Sequence, residues 1–300
     1  MALIKRSWDY LFLMFCVLLL VVTVIVRVPA SFGTVSVPLG SAPPLDSAAS
    51  ASAAAVPSSY STANRPPILT AQANTAQWQR AWSTDFSVAV PLGQFPGAVG
   101  SQWGAYPNPW PDTASQRNYA VHGYYDPATT VWINGGYMHI RMWRATGNIH
   151  SAAVYPKVAQ GVMYGRFVEV TRVSKVTQGY KSAHLLWPVN NANNFEVDFP
   201  ENEWTTSPSV YVHYGQDEST VSFDTHVNWS AWHTYEMRWQ PGLLSFYVDG
   251  KLIGRTSQGV PNVNMSWIIQ NESALFGPSA PVNSSAQMDI SYVEYDKYVG

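Results

Sequence analysis

The most informative stretch of the sequence, residues 194–201, reads Asn-Phe-Glu-Val-Asp-Phe-Pro-Glu. Apolar residues alternate with Glu196 and Asp198, and a period of two places the apolar side chains on one face of a β-strand and the acids on the other. Acids that share a strand face repel each other and raise each other's pKa, so placing them side by side costs free energy. Only 12% of the residues in this chain are charged, which makes such a cluster unusual. The pattern therefore predicts a functional strand in a β-rich fold.

Glu201 follows Glu196 by an odd number of residues, so a regular strand would place the two on opposite faces. Pro200 lies between them, and a proline within a strand favours an irregularity. A one-residue bulge would return Glu201 to the acidic face, where the two glutamates could approach the separation of about 5–5.5 Å that retaining glycosidases use. The alternative is an acidic, solvated edge strand continuing to Glu203, but the strongly apolar neighbours favour a central strand.

The rest of the folded region also has the signals of β-structure. Short alternating patterns recur with turn residues between them, and no segment has a sustained helical period. We predict a single curved β-sandwich or jelly roll, all-β, over roughly 220 residues. The clearest predicted elements are a hairpin at Val131–Trp143 around Asn134-Gly135-Gly136, a strand at Trp232–Trp239, a hairpin at Leu243–Ile253 around Asp249-Gly250, and a strand at Gln287–Tyr295.

Composition excludes several classes of function. The net charge is −2 and no basic stripe is present, which argues against a nucleic-acid partner. The single cysteine, Cys16, lies in an apolar run near the start of the chain. A disulfide framework, a cysteine zinc site and thiol catalysis are therefore excluded.

The N-terminal region has the features of an export segment. Lys5 and Arg6 precede an apolar run over residues 10–26, which is typical of a signal peptide or a signal-anchor helix within residues 1–30. Residues 31–78 are rich in Ala, Ser and Pro and are expected to form a linker. We expect a folded catalytic domain at residues 79–300 that is secreted or held at the cell envelope, with membrane contact only through residues 10–26.

The acidic hexad Glu196–Glu201 resembles the signature of glycoside hydrolase family 16, in the longer form of the laminarinase, agarase and carrageenase branches. Further segments resemble the family in the same order along the chain, and the resemblance covers about residues 80–298. They are Tyr164–Phe167, which resembles a strand leading to the cleft, Leu185–Pro188, which resembles the segment before the catalytic strand, and Trp232–Trp239 followed by Phe246–Gly250.

This resemblance implies a jelly roll whose concave sheet forms a substrate cleft. It implies a nucleophile at Glu196, a general acid/base at Glu201, and an intervening Asp198 that tunes both. The implied activity is that of a retaining endo-glycosidase on a polysaccharide, with β-1,3-glucan as the first candidate. A transglycosylase of the same fold and a catalytically silent carbohydrate-binding module are the alternatives.

Side chains that could bind sugar are harder to choose, because aromatic residues also fill β-sheet cores. The aromatic content is 14% and includes 13 Trp. Each candidate has an alternative structural interpretation, either in the core or on an ordinary polar strand face. The candidates for substrate binding are Trp103, Trp110, Trp187, His213, Gln270 and Glu272.

The proposed chemistry requires no cofactor. The family resemblance allows a structural Ca²⁺ near the first and last strands, and Asp289 is the candidate ligand for that ion. We expect a monomer whose only partner is the polysaccharide.

Overall fold

The computed structural model describes residues 65–71, 75–116, 122–189, 195–217 and 219–300, and most of these residues are in β-strands. Two one-turn α-helices, α1 (Thr113–Gln116) and α2 (Pro127–Thr130), and short 3-10 turns at Thr75–Gln77, Gly97–Val99 and Lys157–Ala159 connect them. The strands are β1 (Trp78–Thr84), β2 (Trp103–Ala105), β3 (Gly123–Tyr125), β4 (Val131–Asn134), β5 (Tyr137–Arg144), β6 (Ile149–Pro156), β7 (Gly165–Lys175), β8 (Tyr180–Pro188), β9 (Glu196–Glu203), β10 (Ser209–Tyr214), β11 (Ser219–Asp224), β12 (His233–Gln240), β13 (Leu243–Val248), β14 (Lys251–Thr256), β15 (Met265–Ser273) and β16 (Ser284–Tyr298).

The strands form one curved sheet that folds over itself. Its order is β11-β10-β9-β8-β15-β6-β5-β16-β7-β12-β13-β14, and the main core lies between the half that ends in β6 and the half that begins with β5. Phe167 of the second half meets Trp267 of the first edge to face, with ring centroids 5.3 Å apart. The all-β jelly roll that the strand pattern predicts is therefore confirmed.

Both predicted hairpins are present because their turn residues adopt positive φ. Asn134 pairs with Tyr137 across a two-residue turn in which Gly135 and Gly136 have φ of 62° and 78°. In the second hairpin, Asp249 and Gly250 have φ of 50° and 77°. Turns with two left-handed residues match the twist of paired strands, which explains why these sequences favour them.

The outer face of β12 is covered by residues 65–71. Tyr235, Met237 and Trp239 point into the core as the alternation predicts. On the opposite face, the amide of Leu69 donates to Thr234 Oγ1 and the amide of Ala71 donates to Glu236 Oε2, both at 2.9 Å. The end of the predicted linker therefore binds to the domain, whereas the predicted domain start at residue 79 stays a prediction.

A buried ion network lies beneath that segment. The Arg166 guanidinium is 2.7 Å from both Glu236 Oε1 and Asp296 Oδ2, and Arg80 of β1 is 2.7 Å from Asp296 Oδ1. The segment Tyr164–Phe167 lies at the start of β7, in the half of the sheet that does not contain β9, and the chain continues from β7 into β8, the strand beside β9. The arginine of this segment holds the outer face of that half together.

The predicted export segment, residues 1–30, and most of the predicted linker lie outside the described residues. None of the helices that the structure does describe is long and apolar enough to span a membrane.

Candidate active site

Strand β9 contains a bulge between Asp198 and Glu201. On β10, Tyr211 pairs with Asp198 and Ser209 pairs with Glu201, so two steps on β10 correspond to three on β9. Strand β8 shows the same one-residue shift on the other side of β9. The extra residue returns Glu201 to the face of Asp198. The bulge predicted around Pro200 and the central position of the strand are both present.

The acidic face of β9 looks onto the concave side of the sheet. A small apolar cluster lies there, separate from the main core, and neighbouring aromatic side chains pack against it. Ala183 and Leu185 of this cluster pair with Glu201 and Asp198, so the cluster lies on the same sheet face as the acids, where the sequence predicts the substrate cleft. Its buried members are Tyr125, Ala153, Ala183, Leu185 and Ile268, and its half-buried members are Tyr106, Trp110 and Trp187.

Asp198 is the most constrained of the three acids. Its side chain is 2% exposed, and neither carboxylate oxygen has a hydrogen-bond partner among the described residues. Burial, followed by repulsion from Glu196 and Glu201, raises the pKa of Asp198 well above its ordinary value, and attraction to Lys181 only partly opposes this. The protonated form is thus favoured, and in that form Asp198 can donate a hydrogen bond to a neighbouring carboxylate.

Glu201 is paired with a lysine that the sequence interpretation missed. Lys181 Nζ lies 2.8 Å from Glu201 Oε1 and 3.5 Å from Glu272 Oε1, and the lysine side chain is 7% exposed. Burial alone would lower the pKa of Lys181, but its attraction to Glu201 and Glu272 raises it above the ordinary value. The lysine therefore remains charged between the two carboxylates.

His213 and Tyr211 line the site from β10. His213 pairs with Glu196 in the register, and its Nε2 lies 3.7 Å from Asp198 Oδ2. Tyr211, a further residue that was not singled out from the sequence, lies opposite Asp198 and parallel to the His213 ring, with centroids 6.1 Å apart. His213 is thus brought to the acids as expected, although its Nδ1 also contacts Thr220 Oγ1 at 3.0 Å.

The three tryptophan candidates divide between the cleft and the core. Trp110 stacks on Tyr106, with ring centroids 5.2 Å apart, and Trp187 packs on the same concave cluster. Trp103 was the wrong choice for substrate binding, because it is 0% exposed within the main core and packs edge to face on Trp82 at 5.6 Å. Its place in a Gly/Pro-rich stretch gave no sign of this burial.

The two polar candidates on β15 also differ. Gln270 pairs with Ala183, which itself pairs with Glu201, so Gln270 lies on the cleft floor two strands from the acid. Glu272 is 1% exposed, and its Oε2 accepts from the amide of Thr113 at 3.1 Å. Glu272 therefore belongs to the site as a partner of Lys181, and its burial does not fit the expected contact with sugar.

Asp289 does not fit a Ca²⁺ ligand in this arrangement. Its Oδ1 is hydrogen-bonded to His139 Nδ1 at 2.7 Å and to Gln287 Nε2 at 2.8 Å, and its Oδ2 faces Arg172 at 3.3 Å. A Ca²⁺ site needs several oxygen ligands, whereas nitrogen donors and a guanidinium surround this carboxylate.

The comparison with family models gives the class of the protein. Residues 121–288, more than half of the chain, match the family described as Glycosyl hydrolases family 16. The chain belongs to that family and is a glycoside hydrolase. The search of the curated proteins found no match.

Similar solved structures agree with the fold assignment. LamAcat from Zobellia galactanivorans has 18% identity and a TM-score of 0.62, with 76% of this chain and 100% of that chain covered. The laminarinase catalytic domain from Thermotoga maritima MSB8 has 17% identity and a TM-score of 0.57, with 75% and 100% covered. A β-1,3-glucanase from Mycobacterium marinum has 16% identity and a TM-score of 0.55, with 72% and 98% covered. At these identities the likeness shows the fold alone.

Proposed function

We propose that the protein is a retaining endo-glycosidase that cleaves a polysaccharide by double displacement. The observation that supports this most directly is the bulge in β9, which puts Glu201 on the same strand face as Glu196 and Asp198. Two carboxylates close together on one side of a cleft suit attack and protonation of the same glycosidic bond.

In the first step, a carboxylate oxygen of Glu196 attacks the anomeric carbon. The bond from that carbon to the glycosidic oxygen breaks, and Glu201 gives its proton to the departing oxygen. A protonated Asp198, buried between the two glutamates, can steady the nucleophile through a hydrogen bond. The product of this step is a glycosyl ester on Glu196 and a shortened chain with a free hydroxyl.

In the second step, the ionised Glu201 takes a proton from water, whose oxygen attacks the same carbon from the face opposite the ester bond. The ester bond breaks, and Glu196 is released as a carboxylate. Two inversions at one carbon retain its configuration. A sugar hydroxyl that replaced water would make the same enzyme a transglycosylase.

For the substrate we propose an uncharged β-glucan, with β-1,3-glucan first. The site contains four carboxyl groups, on Glu196, Asp198, Glu201 and Glu272, against one lysine ammonium, on Lys181. Lys181 is already paired with Glu201 and Glu272, so this ammonium offers no free cation to the sulfate or uronate groups of a charged polymer. Half-buried aromatic rings on the floor suit the C–H faces of a neutral sugar. The similar structures that are named laminarinase and β-1,3-glucanase favour the same choice.

We further propose that residues 1–30 export the protein and that it acts as a monomer, secreted or held at the cell envelope. The supporting observations are the apolar run at 10–26 behind a basic flank and the Ala/Ser/Pro-rich stretch that follows. Membrane fractionation of the source cells, with N-terminal sequencing of the product, tests this. A mature chain that begins at Met1 and remains in the cytoplasm would contradict it.

The assigned roles can be tested with Glu196→Ala, Glu201→Ala and a control, Glu203→Gln, on the same strand. On polymer, both alanine variants should lose about 10²–10⁴-fold in kcat/KM, whereas the control should stay near the parent. On an aryl β-glycoside with a good leaving group, Glu201→Ala should still form the glycosyl ester, and azide should release it as a β-glycosyl azide. Near-normal polymer hydrolysis by Glu201→Ala would refute the assignment.

Stereochemistry and substrate are measured with the unmodified enzyme. Proton NMR of the first product should show the β-anomer before mutarotation, and an initial α-anomer would exclude double displacement. A panel of laminarin, mixed-linkage glucan, agarose and carrageenan should give the fastest hydrolysis on laminarin. Preferred cleavage of carrageenan would contradict the charge argument.

A further inference from the structure

Lys181 forms a buried ion pair with Glu201, one of the acids that β9 carries on the face of Asp198. It lies on β8, directly beside β9, and its Nζ is 2.8 Å from Glu201 Oε1. A buried ammonium is costly to desolvate, and a buried ion pair is a weak contributor to stability. Its position against one particular carboxylate oxygen therefore calls for a functional explanation.

Glu272 fixes the position of Lys181 from the opposite side. The two residues pair directly between β15 and β8, and Glu272 Oε1 is 3.5 Å from the ammonium. The other oxygen of Glu272 accepts from the Thr113 amide, and a hydrogen bond links Glu272 to Tyr125. Because Glu272 is held by other groups, it can hold the lysine in one place.

We propose that Lys181 is a positioning residue for Glu201: it binds Oε1 so that Oε2 is directed to the glycosidic oxygen, and Glu272 braces Lys181 in that position. This inference rests on the proposed role of Glu201 as general acid/base. A carboxylate held by one oxygen loses rotational freedom and presents the other oxygen in a fixed direction.

The same contact makes the pH range of activity depend on Lys181. A neighbouring cation favours the ionised form of a carboxyl group, and the first step requires the protonated form. The charged and titratable groups that face Glu201 and Lys181 are Glu196 and Asp198 on β9, His213 on β10, and Glu272 on β15. Removal of the ammonium should therefore move the alkaline limit of polymer hydrolysis to higher pH.

Removal of the brace should move that limit in the opposite direction. In Glu272→Gln the ammonium has Glu201 as its remaining ion-pair partner, and the negative charge that offset its effect on that carboxylate is gone. The alkaline limit should then fall to lower pH. If Lys181 had only a structural role, removal of its ammonium and the Glu272→Gln change would not shift the alkaline limit of activity in opposite directions.

The test uses the full chain with Lys181→Met, Lys181→Arg and Glu272→Gln, and with Lys175→Met as a matched control. Lys175 is exposed on β7 and contacts Ser285 Oγ. For Lys181→Met, kcat/KM on polymer should fall about 10–100-fold, part of the value of general acid–base assistance. On an activated aryl glycoside, which needs little protonation, it should stay within about threefold of the parent. Lys181→Arg should keep the alkaline limit of the parent, and Lys175→Met should match the parent throughout.

Equal losses of Lys181→Met on both substrates, or an unmoved alkaline limit, would overturn the inference. If Lys181→Met fails to fold, Glu272→Gln retains the lysine and still predicts the downward shift, and an unmoved or raised limit in that variant overturns the inference by itself. Failure of the proposed function is distinguishable, because it would appear as near-normal polymer hydrolysis by Glu201→Ala.

Discussion

Asp198→Asn should make the protein more stable while it lowers activity. The carboxyl group of Asp198 is buried, lacks a hydrogen-bond partner in the described residues, and faces Glu196 and Glu201. Asparagine has nearly the same shape, cannot ionise, and brings an amide that can donate to both glutamates. We expect a gain of about 0.5–2 kcal/mol at pH 7, the range typical of relieving one unfavourable feature.

The sign of the pH dependence follows from the raised pKa of Asp198. Between its ordinary pKa and its raised folded value, the folded state binds more protons than the unfolded state, so stability falls as pH rises through that window. Below the ordinary pKa both states are protonated, and the variant has no advantage. The advantage should therefore be absent near pH 3, grow as pH rises, and level off above the folded pKa.

Thermal unfolding of parent and variant over a pH series measures this, with a shift in Tm of about 2–4 °C for each kcal/mol in a domain of this size. The matched control is Asp224→Asn, because the Asp224 side chain is 51% exposed. That control should change Tm little at any pH. The reasoning is refuted if Asp198→Asn is less stable than the parent at pH 7, or if its advantage does not change with pH.

Three further predictions concern stability at positions away from Glu196, Asp198 and Glu201. Asp289→Asn should show the opposite trend, because hydrogen bonds to His139 and Gln287 lower the pKa of Asp289 although burial alone would raise it; stability should fall by about 1–3 kcal/mol at pH 7, and the loss should shrink as pH falls through the lowered pKa. His184→Phe should cost about 3–5 kcal/mol in chemical unfolding and Glu169→Leu,His184→Phe much less, because the single change leaves the buried Glu169 carboxyl without its partner at 2.6 Å; equal costs would contradict this. A chain that begins at residue 79 should fold and keep full activity. Its free energy of unfolding should be about 1–3 kcal/mol lower than that of a chain that begins at residue 65. If the chain from residue 79 shows no cooperative unfolding transition, the predicted domain boundary is wrong.

Local patterns were enough to predict the parts of the structure that depend on a few neighbouring residues. The alternation around Val197 predicted the strand, and Pro200 predicted the bulge, because both depend on backbone geometry within one short segment. The turns at Asn134 and Asp249 were predictable for the same reason, since few residues tolerate positive φ.

Side-chain environments that depend on distant strands were not predictable from the sequence. Trp103 and Trp110 lie in the same Gly/Pro-rich stretch, yet one is in the core and the other stacks beside the cleft. Trp103 lies on β2, and the register of β2 is set by its pairing with β6, about 50 residues further along the chain. The alternation over residues 180–188 could have placed Lys181 on the face of Ala183 and Leu185, but only the β8–β15 pairing shows its contact with Glu272.

The arrangement of charge in the cleft explains why these groups occur together. An acid that protonates a leaving group is helped by nearby carboxylates, which favour its protonated form, and the same acid must later ionise to activate water. Glu196 and Asp198 lie on the same strand face as Glu201, and the Lys181 ammonium lies 2.8 Å from Glu201 Oε1. The negative charge of Glu272 offsets part of the positive charge of Lys181. The electrostatic effect of Lys181 on Glu201 therefore depends on a residue that does not face the sugar. We therefore expect substitutions of Glu272 to change the pH range of the enzyme more than its affinity for the polysaccharide.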